Sequence, residues 1–158
     1  MARQFLVVWV GRHLRQPWEV LCDDYRSRIE RFVPIRDQRI KTRDTGADPT
    51  RRQTEGKALL AALPEPCWTV ALDPRGKTVS SAGLASQLQR LEDEWPHPVA
   101  FLIGSDLGLD PQVTRQARQR LSFGPMTFGH ELARLVLYEQ IYRAISINRG
   151  IKYNRPAF

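Results

Sequence analysis

The chain predicts an α/β protein with a mostly parallel sheet flanked by helices. Short β-rich apolar runs alternate with stretches of helical periodicity along its length, and one run, VAFLI at Val99–Ile103, is apolar at every position. Alternating strands and helices need crossovers that lay helices on the sheet faces. A strand apolar on both sides has to be covered on both, so Val99–Ile103 is central. At 158 residues the chain suits one domain, 1–158, with its own core.

FLVVWV, Phe5–Val10, is the first strand. Six apolar residues make neither a signal h-region nor a membrane span, and no small-residue cleavage site follows, so a cytoplasmic protein without a membrane partner is expected. Pro17 opens a helix with Trp18, Leu21, Cys22, Tyr25, Ile29 and Phe32 on one face. Ile35–Lys41 alternates with polar residues and reads as an edge strand, and Thr42–Thr50 is a loop by composition. Arg51–Leu63 is helical and stops at Pro64. CWTVAL, Cys67–Leu72, is a strand running into a turn at Asp73–Lys77. Ser80 or Ser81 caps a helix that carries Leu84, Leu88 and Leu91. Asp110 and Pro111 serve as N-cap and first residue of a short helix, and Arg120–Phe123 is the last strand. The final helix, Glu131–Ile147, is apolar on more than one side through Leu132, Leu135, Val136, Leu137, Tyr138, Ile141, Tyr142 and Ile145. Such a helix is deeply buried or shared with another subunit.

Apolar residues at 42% and charged residues at 26% are those of a soluble globular chain. Cys22 and Cys67 form no disulfide framework, and with the scattered His13, His97 and His130 they offer no metal-ligand spacing, so no metal is expected. The net charge of +7 is unevenly spread: residues 1–57 carry 13 Lys/Arg against 8 Asp/Glu, residues 58–110 carry 3 against 7, and residues 111–158 carry 8 against 2. Two basic ends and an acidic middle fit either an anionic partner or a solvated basic surface. The excess of arginine over lysine suits phosphate oxygens.

In a parallel α/β sheet, ligands bind outside the carboxyl ends of the strands. Three glycine-containing segments leave such ends: Leu72–Lys77, Gly104–Gly108 and Phe123–Gly129. The third is FGPMTFG, whose two phenylalanines and methionine suit a loop plugged into the protein or wrapped around a ligand. No GxGxxG follows the first strand, and neither GxxxxGK[ST] nor GxSxG occurs. A ligand here would be held by backbone groups and apolar side chains, which suits an adenine ring.

ALDPRGK (Ala71–Lys77), FLIGSDLGL (Phe101–Leu109) and LSFGPMTFGHELARLVLYEQIYRAISINRGIKYNR (Leu121–Arg155) occur in an order and spacing that resemble the RlmH family of ribosomal RNA methyltransferases, in the SPOUT superfamily. The resemblance covers essentially the whole chain and is most specific in the last segment. It implies a SPOUT-type α/β fold with a C-terminal trefoil knot over roughly residues 100–158, and a homodimer. It also implies S-adenosyl-L-methionine as cofactor and methylation of N3 of pseudouridine 1915 in 23S rRNA on the assembled ribosome. Carried over by position, cofactor contacts fall on Leu72, Gly104, Phe123, Gly124, Pro125, Met126, Thr127 and Phe128. The three aromatic and sulfur side chains among them also suit plain core packing. Tyr153, Asn154 and Arg155 would place the base, with Arg149 and Lys152 on the RNA beside the pocket. For Arg134, in the first turn of the last helix, an RNA phosphate or cofactor carboxylate contact stands beside a structural salt bridge. The same resemblance favours a dimer interface on the last helix.

The chain departs from the family pattern at three points. Ser105 replaces a second glycine after the fourth strand, Gly129 replaces a proline, and Asn154 stands where relatives carry a tail histidine. An amide can hydrogen-bond a uracil-like edge but cannot act as a general base near neutral pH. His130, at a helix start, reads as a cap rather than a base. Two other readings stay open: a non-catalytic basic RNA- or ribosome-binding protein on this fold, and a methyltransferase of another RNA.

Overall fold

Val99–Ile103 lies in the middle of a five-stranded, all-parallel sheet, and every one of its residues is buried. The computed structural model describes residues 3–12, 14–42 and 46–155. His13, residues 43–45 of the expected Thr42–Thr50 loop and the terminal Pro156–Phe158 lie outside the described residues. The strands are β1 (Phe5–Val10), β2 (Ile35–Ile40), β3 (Trp68–Thr78), β4 (Val99–Ile103) and β5 (Gln119–Ser122), in the order β2-β1-β4-β3-β5. The polar-alternating β2 is an edge, as its pattern requires.

The helices are α1 (Gln16–Glu30), α2 (Asp48–Ala61), α3 (Ser81–Glu94), α4 (Pro111–Gln116) and α5 (His130–Arg149). Alternate residues of β1 point to opposite faces. Phe5, Val7 and Trp9 join Cys22 and Ile29 of α1, Leu84 and Leu88 of α3, and Leu137, Ile141 and Ile145 of α5. Leu6, Val8 and Val10 meet Leu59 of α2 and Val113 of α4 on the other face. Ser80 caps α3 by accepting from Gly83 N–H, and Asp110 caps α4 by accepting from Gln112 N–H.

Two expectations are revised, and one pair of alternatives is narrowed. The second helix starts at Asp48, inside the segment read as loop, with Pro49 in its first turn. That segment's turn-forming composition includes residues that are equally good helix starters. The third strand does not end at Leu72: Leu72 and Lys77 both pair with Leu121, so residues 73–76 bulge out and the strand resumes to Thr78. The wide apolar surface of α5 is largely satisfied within the chain, because α5 packs against both α1 and α3 and buries Leu137, Tyr138, Ile141, Ala144 and Ile145.

Candidate active site

The carboxyl ends of β3, β4 and β5 meet the start of α5 around a cavity of about 610 Å³, a volume suited to a nucleoside-sized ligand. Its walls come from the three glycine-containing segments: Leu72 to Arg75, Gly104 to Leu109, and the loop from Phe123 to Gly129. Of the residues expected to touch a cofactor, Leu72, Gly104, Phe123, Gly124, Met126, Thr127 and Phe128 line the cavity. Pro125 is exposed and does not.

Each loop has its own local cause. A Cβ on Gly104 would stand 2.5 Å from the carbonyl carbon and 2.6 Å from the oxygen of Gly108, so the loop can double back only without a side chain there. Gly124 has φ of 113°, a conformation that strains L side chains. Around it Ser122 Oγ accepts from Gly124 N–H at 3.0 Å and lies 3.0 Å from the carbonyl oxygen of Pro74, tying this loop to the β3 bulge. The Phe123 and Phe128 rings stack with centroids 6.2 Å apart and an interplanar angle of 28°. They line the cavity and also pack on neighbouring apolar groups, while Met126 is 77% exposed at the mouth.

Ser105 ties down the loop after β4. Its hydroxyl donates to Glu55 Oε1 at 2.6 Å and accepts from Leu107 N–H at 3.2 Å. Glu55 is itself buried, accepts from Thr42 and lies 3.3 Å from Arg51 Nε. Arg51 also reaches Asp106 at 2.8 Å, so α2 holds the β4 loop at two points. The sequence reading missed Glu55; its only signal was an acid on the face of α2 that has to pack inward. It also missed Asp73, buried in the β3 bulge and lining the cavity.

Arg134 belongs to a buried network and is not open to an RNA phosphate. Its guanidinium lies 2.5 Å from Glu19 Oε1 and 2.8 Å from Asp37 Oδ2, and its side chain is 3% exposed. It stacks 4.3 Å over the ring of Trp9, whose Nε1 donates to Asp37 Oδ1 at 2.8 Å, and Tyr138 donates to Asp37 as well. Burial beside these carboxylates raises the Tyr138 pKa, and burial pushes the nearby Cys22 thiol up to about 11. The structural salt bridge is thus the role the geometry supports for Arg134. His130 is not a cap either: Gly129 occupies the N-cap and makes no side-chain bond, and His130 lines the cavity.

The tail lies elsewhere. Tyr153 Oη is 3.1 Å from Glu139 Oε1 and 3.2 Å from Tyr25 Oη, and Arg143 donates to Asn154 Oδ1 at 3.0 Å. Glu139 is nine residues beyond His130, about 13 Å along the helix. Arg149 sits at the far end of α5, paired with Glu92 at 3.3 Å and over the ring of Phe32. Within one chain, therefore, Tyr153, Asn154, Arg155, Arg149 and Lys152 are not brought to the cavity that holds the other expected residues.

Residues 4–154 match a family model described as "Predicted SPOUT methyltransferase". The chain is 46% identical over 151 residues to the ribosomal RNA large subunit methyltransferase H of Solidesulfovibrio magneticus, covering 94% of this chain and 96% of that one. It is 36% identical over 154 residues to the protein of the same name from Nitratidesulfovibrio vulgaris, covering 96% and 98%. Among solved structures, a probable methylase family protein from Haemophilus influenzae matches with a TM-score of 0.51 and 12% identity over 99% of this chain and 73% of that one, a likeness of fold alone. A parallel sheet with its cavity at the β3, β4 and β5 ends, in a chain so close to these relatives, places the protein in the SPOUT methyltransferase family, in the branch of the ribosomal RNA large subunit methyltransferases H.

Proposed function

We propose that this protein transfers a methyl group from S-adenosyl-L-methionine to large-subunit ribosomal RNA, and that the acceptor is N3 of pseudouridine 1915 of 23S rRNA in the assembled ribosome. The observation that carries the reading is the cavity at the three strand ends, lined by Leu72, Gly104, Phe123, Gly124, Met126, Thr127 and Phe128. Its apolar walls, close backbone and volume fit an adenosine with a methionine arm. When bound, the cofactor supplies an electrophilic methyl on a sulfonium. This chain's residues must align the acceptor nitrogen with it and exclude water, and the stacked Phe123 and Phe128 with Leu72 and Leu109 supply the dry wall.

The reading includes the cytoplasm as location, a C-terminal trefoil knot beginning at roughly residue 100 and a homodimer. Leu14, Val20, Leu21, Leu132 and Met126 are large apolar side chains left exposed near the start of α5, which Arg15 and Glu131 tie to the α1 end. A second copy covering that end would bury them. It could also bring a tail with Tyr153, Asn154 and Arg155 to a cavity that the chain's own tail does not reach.

The test is calorimetric titration with S-adenosylmethionine, followed by methyl transfer to large ribosomal subunits and mass mapping of the modified nucleotide. Gly104→Trp, which fills the β4 loop, should bind no cofactor. Absence of cofactor binding by the folded wild-type protein would sink the reading in favour of an RNA-binding module. A methyl group on another nucleotide would correct the target alone.

A further inference from the structure

Two arginines, Arg52 and Arg75, line the cavity and a third, Arg120, reaches the lining residue Asp73 from β5; each lies beside a carboxylate that is itself buried. Arg75 Nε lies 3.5 Å from Asp73 Oδ1, Arg120 Nη1 lies 3.7 Å from Asp73 Oδ2, and Arg52 Nε lies 3.8 Å from Asp110 Oδ1. The asymmetry of exposure is large. The side chains of Asp73 and Asp110 are 5% and 9% exposed, whereas those of Arg75, Arg120 and Arg52 are 81%, 51% and 38% exposed.

The acids are also partly used up. Asp73 Oδ1 accepts from Arg75 N–H and Asp110 Oδ2 from Gln112 N–H. All three arginine contacts are too long for hydrogen bonds of good geometry. Asp73 Oδ2 and Arg52 Nε are buried with no hydrogen-bond partner among the described residues. Arg75 and Arg120 are therefore anchored electrostatically from below with donors left for a partner above, while Arg52 keeps its Nε buried and offers only the rest of its half-exposed guanidinium. The counter-charges of Asp73 and Asp110 lie underneath, and the exposed Asp106 on the β4 loop is held by Arg51 at 2.8 Å, so the arginines are the groups turned outward. Arg52 and Arg75 line the cavity itself, and Arg120 precedes the lining residue Leu121 on the edge strand β5.

We propose that Arg52, Arg75 and Arg120 form a phosphate-binding rim that holds the RNA backbone on either side of the nucleotide entering the cavity. The proposal rests on the reading that the substrate is RNA. Phosphate oxygens match arginine forks, and three forks around one opening hold a strand in register without reading its sequence.

The experiment measures methyl transfer to, and co-sedimentation with, large ribosomal subunits from a strain lacking this gene, across a salt series. It uses wild type, Arg52→Gln, Arg75→Gln, Arg120→Gln and a distant control, Arg26→Gln on α1. Each rim variant should raise KM for subunits about fivefold and leave kcat unchanged. Each should flatten the plot of log KM against log salt by about 0.7–0.9. Cofactor affinity by calorimetry should stay within about twofold of wild type, and the control should move nothing. Arg75→Lys should keep the salt slope. Unchanged KM and slope in all three variants would overturn the rim. So would cofactor affinity falling in step with KM, which would assign the arginines to the cofactor, or a change of oligomeric state that alone explains the loss. If wild type transfers no methyl yet sediments with subunits in a salt-dependent way that the variants weaken, the rim stands and the reaction reading fails. If wild type does not sediment with subunits even at low salt, the rim is overturned with it.

Discussion

Arg134 and Arg75 both sit beside carboxylates, Arg134 beside Glu19 of α1 and Asp37 of β2 and Arg75 beside Asp73 of the β3 bulge, and their surroundings make them opposites. Around Arg134, two carboxylates approach to 2.5 and 2.8 Å and a tryptophan face covers the guanidinium. Around Arg75, the acid approaches only to 3.5 Å and the arginine is 81% exposed. A desolvated charge survives only when its partners are close and complete, so the Arg134 network is structural and intolerant. A charge left in water adds little to stability and stays available to a partner. What separates a strut from a binding group here is therefore burial and the completeness of pairing, since residue type and sign are the same.

The largest expected effect breaks the closed network. Arg134→Met leaves the partly buried Glu19 and Asp37 without their cation and should cost about 3–5 kcal/mol in urea unfolding. A loss below about 1 kcal/mol would show that the network is a surface feature. Next comes the β4 loop, where Gly104→Ala must push apart backbone that now lies 2.5 Å from the added carbon. A cost of about 1–3 kcal/mol is expected, with cofactor affinity by calorimetry falling more than about tenfold, since a small misplacement of a binding loop is amplified. Ser105→Ala leaves Glu55 Oε1 without its 2.6 Å donor and should cost about 1–3 kcal/mol in thermal or urea melts. Equal stability of Ser105→Gly and wild type would mean that the serine is only tolerated. The smallest effect on stability sharpens the comparison from the open side: Arg75→Gln should stay within about 0.5 kcal/mol of wild type while losing salt-dependent affinity for ribosomal subunits.

Much of the fold was legible in local pattern. Phe5–Val10 and Val99–Ile103 announced buried strands, the polar alternation of Ile35–Lys41 announced an edge that ends one residue earlier, at Ile40, and Asp110 announced a helix start, while of Ser80 and Ser81 the structure makes Ser80 the cap. The sequence left matters open or misjudged them where local chemistry has two outcomes. Asp73-Pro74-Arg75-Gly76 is a turn sequence, but in the sheet it became a bulge because Leu72 and Lys77 both find Leu121 on β5. The apolar breadth of α5 could be satisfied by another subunit or by this chain, and α1 and α3 supply most of the cover.

The site was legible in the same uneven way. Three glycine-containing loops at strand ends follow from the positions of the predicted strands and the crevice rule, both of which depend on pattern. Glu55 and Asp73 were not legible, because an acid in sequence looks solvated until the fold buries it and gives it Ser105 or an incomplete arginine pair.

By itself, then, the sequence determined the parallel α/β plan, the loops that carry the cavity, and a motif set specific enough to mark the family. Those properties live in short-range periodicity, in glycine and proline, and in residue identity at fixed spacing. Only the tertiary structure decided which arginines are struts and which are free, that the tail of one chain rests on Glu139 and Tyr25 away from its own cavity, and that Ser105 closes a loop through Glu55. Those outcomes depend on burial and on contacts between residues 50 or more apart in sequence, such as Glu55 with Ser105 and Glu19 with Arg134. Charge takes its meaning from distance and dielectric, and both are set when distant segments meet.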